Sequence, residues 1–158
     1  MDWFFDLIGN RYLITGISAW IIAQILKLFI HTIVHRKFDF WRLFGDGGMP
    51  SGHSATVSSV ATMCALGCGL GSVEFALSAI LAVIVIHDAT GVRQETGKQA
   101  VILNQITEFI NNMSTDKVSD DVKLKTFVGH TNAQVVAGVI LGVCIALLSH
   151  FFVFGPVA

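Results

Sequence analysis

Long apolar runs dominate the chain, and their lengths set the first expectations. Tyr12 to Val34 runs 23 residues with one formal charge, Lys27, enough to cross a hydrocarbon core at about 1.5 Å per residue. Ser51 to Leu70 is less apolar because it is built from Ser, Ala, Gly and Thr. Such residues let helices approach closely, so an interior span is expected there. Val73 to Thr90 has a strongly apolar centre and closes with His87 and Asp88, while Thr131 to Phe154 carries a small-residue row, Ala133, Ala137 and Gly138. The pattern therefore predicts an all-α polytopic membrane protein, a bundle of about four transmembrane helices near 12–34, 51–70, 73–90 and 131–154.

Between the third and fourth spans the period changes. Ile102, Ile106, Phe109, Ile110 and Met113 fall at i, i+4, i+7, i+8 and i+11, opposite Lys98, Gln105 and Glu108, which predicts an amphipathic helix in the interface or over a site. Ser114 to Lys125 is the most charged stretch and reads as a solvated loop. Asp2 to Asn10 is short, aromatic and acidic at both sides, an interfacial helix rather than a secretory signal. With no repeat, low-complexity tract or linker, residues 1–158 are expected to form one membrane-embedded domain.

Composition agrees. The 158 residues are 53% hydrophobic and 13% charged, about half the charge of a soluble domain. Ten basic against eleven acidic residues leave a net charge of −1, no basic excess to neutralise a nucleic-acid backbone, so nucleic acid is excluded as a partner. Cys64, Cys68 and Cys144 sit in apolar stretches and read as packing thiols. Asp88 is the only acid within the polar motifs described next, so no metal and no cofactor are expected.

Four alternating spans bring the polar segments to one membrane face. That face receives His35 to Lys37, Met49 to His53, His87 to Arg93, Lys98, and Gly129 to Gln134; the other holds only Asp2, Asp6, Arg11, Glu74 and His150. It carries nine of the ten Lys and Arg if Lys27 is included, which predicts a cytoplasmic site. Gln24, Lys27, His31 and His35 share an arc of about 80° on their helix, so this row is expected to face the bundle, as a structural hydrogen-bond row or as a phosphate ligand.

Gly47-Gly48-Met49-Pro50-Ser51-Gly52-His53-Ser54 leads glycines and a proline into a helix start. Free N–H groups and the positive end of the helix dipole meet there, favouring phosphate, although a Ser-capped turn reads equally from the same residues. Pro50-Ser51-Gly52-His53, Asp88-Ala89-Thr90-Gly91-Val92-Arg93, Gly97-Lys98-Gln99-Ala100 and Gly129-His130-Thr131 together resemble the type 2 phosphatidic acid phosphatase superfamily, which includes vanadium haloperoxidases, in a small divergent branch with bacterial and plant members. The likeness runs from Gln24 to Gly142. It implies an integral protein of the inner, cytoplasmic membrane, with His130 as nucleophile, His53 as the acid that protonates the leaving oxygen, and Ser51, Gly52, Arg93 and Lys98 holding phosphate.

The chain departs from the wider pattern in three places. Gln134 stands where an Asp orients the nucleophile, Leu124 where an Arg holds phosphate, and Val34-His35 where Lys27 would call for Arg-Pro. Asp88 is therefore the candidate substitute carboxylate, with Lys27 a further candidate for phosphate. The expected function is hydrolysis of a lipid phosphate or pyrophosphate through a phosphohistidine. The alternative is a catalytically degenerate phospholipid-binding transporter or regulatory subunit; vanadate-dependent halide oxidation is disfavoured by the small membrane frame. The expected partner is a phosphorylated membrane lipid, with a homo-oligomer as the further possibility.

Overall fold

The computed structural model describes residues 2–40, 47–113, 124 and 130–155, except for the side chains of Asp2 and Arg93. Six helices account for nearly all of them: α1 Asp2–Ile8, α2 Arg11–His35, α3 Gly52–Gly67, α4 Val73–Thr90, α5 Val92–Met113 and α6 Asn132–Leu148, the last continuing into a π-helical segment Ser149–Phe154. Among the described residues there is no strand. Asn10, Ser51, Ser72 and Thr131 cap α2, α3, α4 and α6 through side-chain oxygens that accept first-turn N–H groups, so each boundary is set by a local polar residue.

Among the described residues, three segments are long and apolar enough to cross a membrane: Arg11–His35, Val73–Met113 and Asn132–Phe154. The expected second span differs. α3 ends at Gly67, not Leu70, where the Cys68 N–H closes onto the Cys64 carbonyl; its 16 residues extend about 24 Å, short of the hydrocarbon thickness. It does not need lipid contact, because α2, α4 and α6 pack around it. Its inward positions include Ser54, Ala55, Ser58, Ser59, Met63 and Cys64, and several of its hydroxyls bond within the helix, Ser59 donating to the Thr56 carbonyl and Thr62 to that of Ser58. With no hydrophobic drive between helices in lipid, close packing of small residues takes that role.

Glycines on α6 make the packing tight. A Cβ at Gly138 would lie 2.5 Å from the Ser51 carbonyl oxygen, and one at Gly142 would collide with the Ala55 carbonyl. On the other side of α3, a Cβ at Gly16 would meet Val60 at 2.8 Å. At the end remote from the polar motifs, the Tyr12 hydroxyl rests 3.1 Å from Cys68 Sγ and fills the space over Gly67. Outward residues such as Phe29, Ile80, Val83 and Ile140 are exposed, as lipid-facing positions require.

The amphipathic helix begins ten residues earlier than its apolar stripe. α5 starts at Val92, directly after α4, and buries Gly97 and Ala100 where it leaves α4. Ile102, Ile106, Phe109, Ile110 and Met113 are all exposed, a continuous apolar face. Asn104 grips the backbone of Leu124 from both sides, donating to its carbonyl and accepting its N–H, each at 3.0 Å.

Candidate functional site

Two backbone hydrogen bonds assemble the polar end of the bundle. The His130 N–H donates to the Ala89 carbonyl at 3.1 Å, and the Ser51 N–H donates to the Gln134 carbonyl at 2.9 Å. The first ties the residue before the α6 cap to the last turn of α4; the second ties the α3 cap to the first turn of α6. His130, Ser51 and the residue next to Asp88 therefore belong to one junction of three helices.

His130 is 5% exposed, and its Nδ1 lies 3.3 Å from Gln134 Oε1. That same oxygen accepts the Thr131 N–H at 3.2 Å, while the Thr131 hydroxyl accepts the Gln134 N–H, forming a capping box. A backbone N–H can only donate, so the atom facing it is the amide oxygen. The same oxygen can only accept from Nδ1, which therefore carries a proton; in the neutral imidazole Nε2 then keeps its lone pair. His130 precedes α6 rather than sharing a helix face with Gln134: the cap, not helical periodicity, brings them together.

His53, exposed in the first turn of α3, faces this imidazole with ring centroids 6.0 Å apart and planes tilted by 54°. Ser51 and Ser54 are fully buried behind it. Ser51 Oγ accepts from the Ser54 N–H at 3.3 Å and from the Ser54 hydroxyl at 3.0 Å. The Ala55 N–H goes to the Ser51 carbonyl, so the remaining first-turn donors are the N–H groups of Gly52 and His53, at the positive helix end.

The row on α2 turns inward as expected and emerges at its end. Gln24 and Lys27 are 8% and 5% exposed, whereas His35 is exposed. Gln24 and Trp20 pack beside Gly52, and the aliphatic stem of Lys27 passes over Gly48, whose φ of +95° and lack of a side chain make the approach possible. His31 and His35 stack at 4.3 Å, with the His35 ring nitrogen 3.2 Å from the His31 carbonyl.

Of the nine expected site residues, His130, Gln134, His53, Ser51 and Gly52 come together, with Asp88 adjacent through Ala89 and Lys27 beneath the Gly48 turn. Lys98 lies on α5 in an exposed pair with Glu95 at 2.6 Å. The Arg93 side chain falls outside the described residues, as do Lys123 and Lys125. Sequence reasoning missed Trp20 against Gly52 and the capping box; the Thr131-x-x-Gln134 spacing was the available signal for the latter.

The arrangement defines a helical integral membrane protein with a histidine pair at one mouth of the bundle. The chain belongs to the Divergent PAP2 family, which it matches over residues 8–145. It is 39% identical to the uncharacterized membrane protein YuiD of Bacillus subtilis (strain 168) over 156 residues, covering 93% of this chain and 99% of that protein. No solved structure matches the chain.

Proposed function

We propose that the protein hydrolyses a phosphorylated membrane lipid through a phosphohistidine. The observation that carries this reading is the Gln134 oxygen fixing the proton of His130 on Nδ1, opposite a second histidine at a helix N-terminus. Nε2 attacks phosphorus, the N–P bond forms, and the bond to the leaving oxygen breaks as protonated His53 donates to it. With ring centroids 6.0 Å apart, the two imidazoles stand close enough to act on one phosphoryl group. Water then attacks phosphorus, His53 takes its proton, and the N–P bond breaks to release phosphate and restore His130.

In this reading the Gly52 and His53 N–H groups bind phosphoryl oxygens, and Asp88 stabilises the cationic imidazole. Lys27, Arg93 and Lys98 supply positive charge. Lys98 must leave Glu95, and an exposed pair gives up only about 0–1 kcal/mol. The site opens to the cytoplasm, supported by the nine-to-one division of Lys and Arg.

Alkali-quenched labelling with a ³²P-phosphorylated lipid tests the reading: wild type should hold acid-labile, base-stable label, and His130→Ala none. Vanadate binding with no trapped phosphate and no turnover would instead favour the binding-only alternative.

A further inference from the structure

A cavity of about 380 Å³ opens on the lipid-facing side of the bundle between α2, α3 and α4, within the size range of small-molecule sites. Leu13, Ile17 and Trp20 form its α2 wall, Val57 and Val60 its α3 wall, and Val85 closes it from α4. Gly16 forms the floor, since it has no side chain to hold Val60 away. Thr56 also lines it, but its hydroxyl donates to the Gly52 carbonyl at 2.9 Å, which leaves the methyl group as its contribution to the lining.

Among the described residues of this apolar wall, the one ionisable group is His53. α2 and α3 run antiparallel, and Trp20 packs at the level of Gly52 while Gly16 packs at the level of Val60. The cavity therefore has a chemical direction. It starts at the imidazole and the first turn of α3, and continues for about seven residues, roughly 10 Å, toward Leu13 and Val60 in the direction of the far end of the bundle. Plain hydrocarbon would leave the imidazole end without a polar contact, a costly arrangement at an apolar surface. An amphiphile with an anionic head satisfies both ends.

We propose that this groove takes one hydrocarbon chain of the phosphorylated lipid. The lipid enters sideways from the bilayer between α2 and α4, with its phosphate at His53 and His130 and the first part of its chain along Ile17 and Val57. The proposal rests on the phosphatase reading for the placement of the head, and adds the chain's position and the residues that select it. Specificity then lies in hydrocarbon length and bulk as much as in the head group.

The test uses the full chain in detergent micelles with an alkyl phosphate carrying a photoreactive diazirine in its tail, with peptides read by mass spectrometry. Label is expected on the segments 13–20 and 57–60, competed by excess dodecyl phosphate and not by dodecanol. Ile17→Trp, which fills the groove from α2, should lower that label about tenfold, as should Val85→Phe from α4; Ile140→Trp, on the exposed face of α6, should leave it unchanged. Both groove variants should lose turnover of long-chain phosphates while keeping that of short-chain ones. Label spread over all lipid-facing helices, or equally competed by dodecanol, overturns the groove even if phosphate release is robust. Competed groove label without phosphate release from any lipid upholds the groove and removes the phosphatase reading.

Discussion

Replacing Gln134 separates two tasks performed by one amide oxygen. In Gln134→Ala the Thr131 N–H loses half of its capping box, which costs about 1 kcal/mol of stability. The His130 Nδ1–H loses its acceptor, another hydrogen bond of about 0.5–1.5 kcal/mol, for a total near 2 kcal/mol. The kinetic effect has a different origin: without the acceptor, His130 can adopt the tautomer with hydrogen on Nε2, which cannot attack. An orienting bond worth about 1.4–2.7 kcal/mol in the transition state corresponds to a 10- to 100-fold loss of kcat. That is less than the roughly 10⁴-fold cost of disabling a carboxylate partner in a triad enzyme, because the native partner here is already neutral. Gln134→Glu keeps both acceptor contacts, adds negative charge at the α6 N-terminus worth about 0.3–1 kcal/mol, and stabilises the cationic imidazole, so turnover should match or exceed wild type. Phosphate release and thermal unfolding in the same detergent separate the two effects. A folded Glu variant without activity, or an Ala variant with unchanged kcat, refutes the tautomer argument.

His53→Ala should reduce hydrolysis of an alkyl phosphate far more than that of nitrophenyl phosphate, whose leaving group needs little protonation; equal losses in steady-state assays would contradict the acid assignment. Gly138→Ala should drive α6 away from the Ser51 carbonyl, break the Ser51–Gln134 bond and cost about 1–3 kcal/mol, read as a lowered Tm with turnover lost in parallel. In a chain whose three native cysteines are replaced, Lys37→Cys, exposed just beyond α2, should resist an impermeant maleimide in intact cells and react after lysis. Labelling in intact cells would move the site to the outer face.

The long apolar helices were legible because lipid imposes a strong signal on every exposed position. α3 was recognisable as interior from its Ser, Ala and Gly content, yet its end at Gly67 depended on a local closure by Cys68 that hydropathy does not register. The first turns of α5 escaped for a related reason: Val92 to Val101 has no apolar stripe, and its inward contacts are made by Gly97 and Ala100. At the site, topology alone brought His53 and His130 to one face. The bonds that fix their relation, from His130 to Ala89 and from Ser51 to Gln134, use backbone groups of residues far apart in the chain, and backbone groups carry no residue-specific signature.

Lys27 and the Gly48 turn also bear on how the protein is made. During biosynthesis α2 enters the bilayer before residue 48 can take its place, so its lysine is first accommodated without that turn. A lysine at the centre of an inserting helix costs about 2.5–3.5 kcal/mol, but Lys27 stands four residues past the midpoint of Arg11–His35, about 6 Å nearer the site end, where its long stem reaches the headgroup layer. The newly inserted helix holds its ammonium at the water boundary. Only when α3 docks does Gly48 settle over that stem and enclose it. Lys27 thereby also bears on the sequence of assembly, insertion of α2 first and closure of the 47–52 segment afterwards.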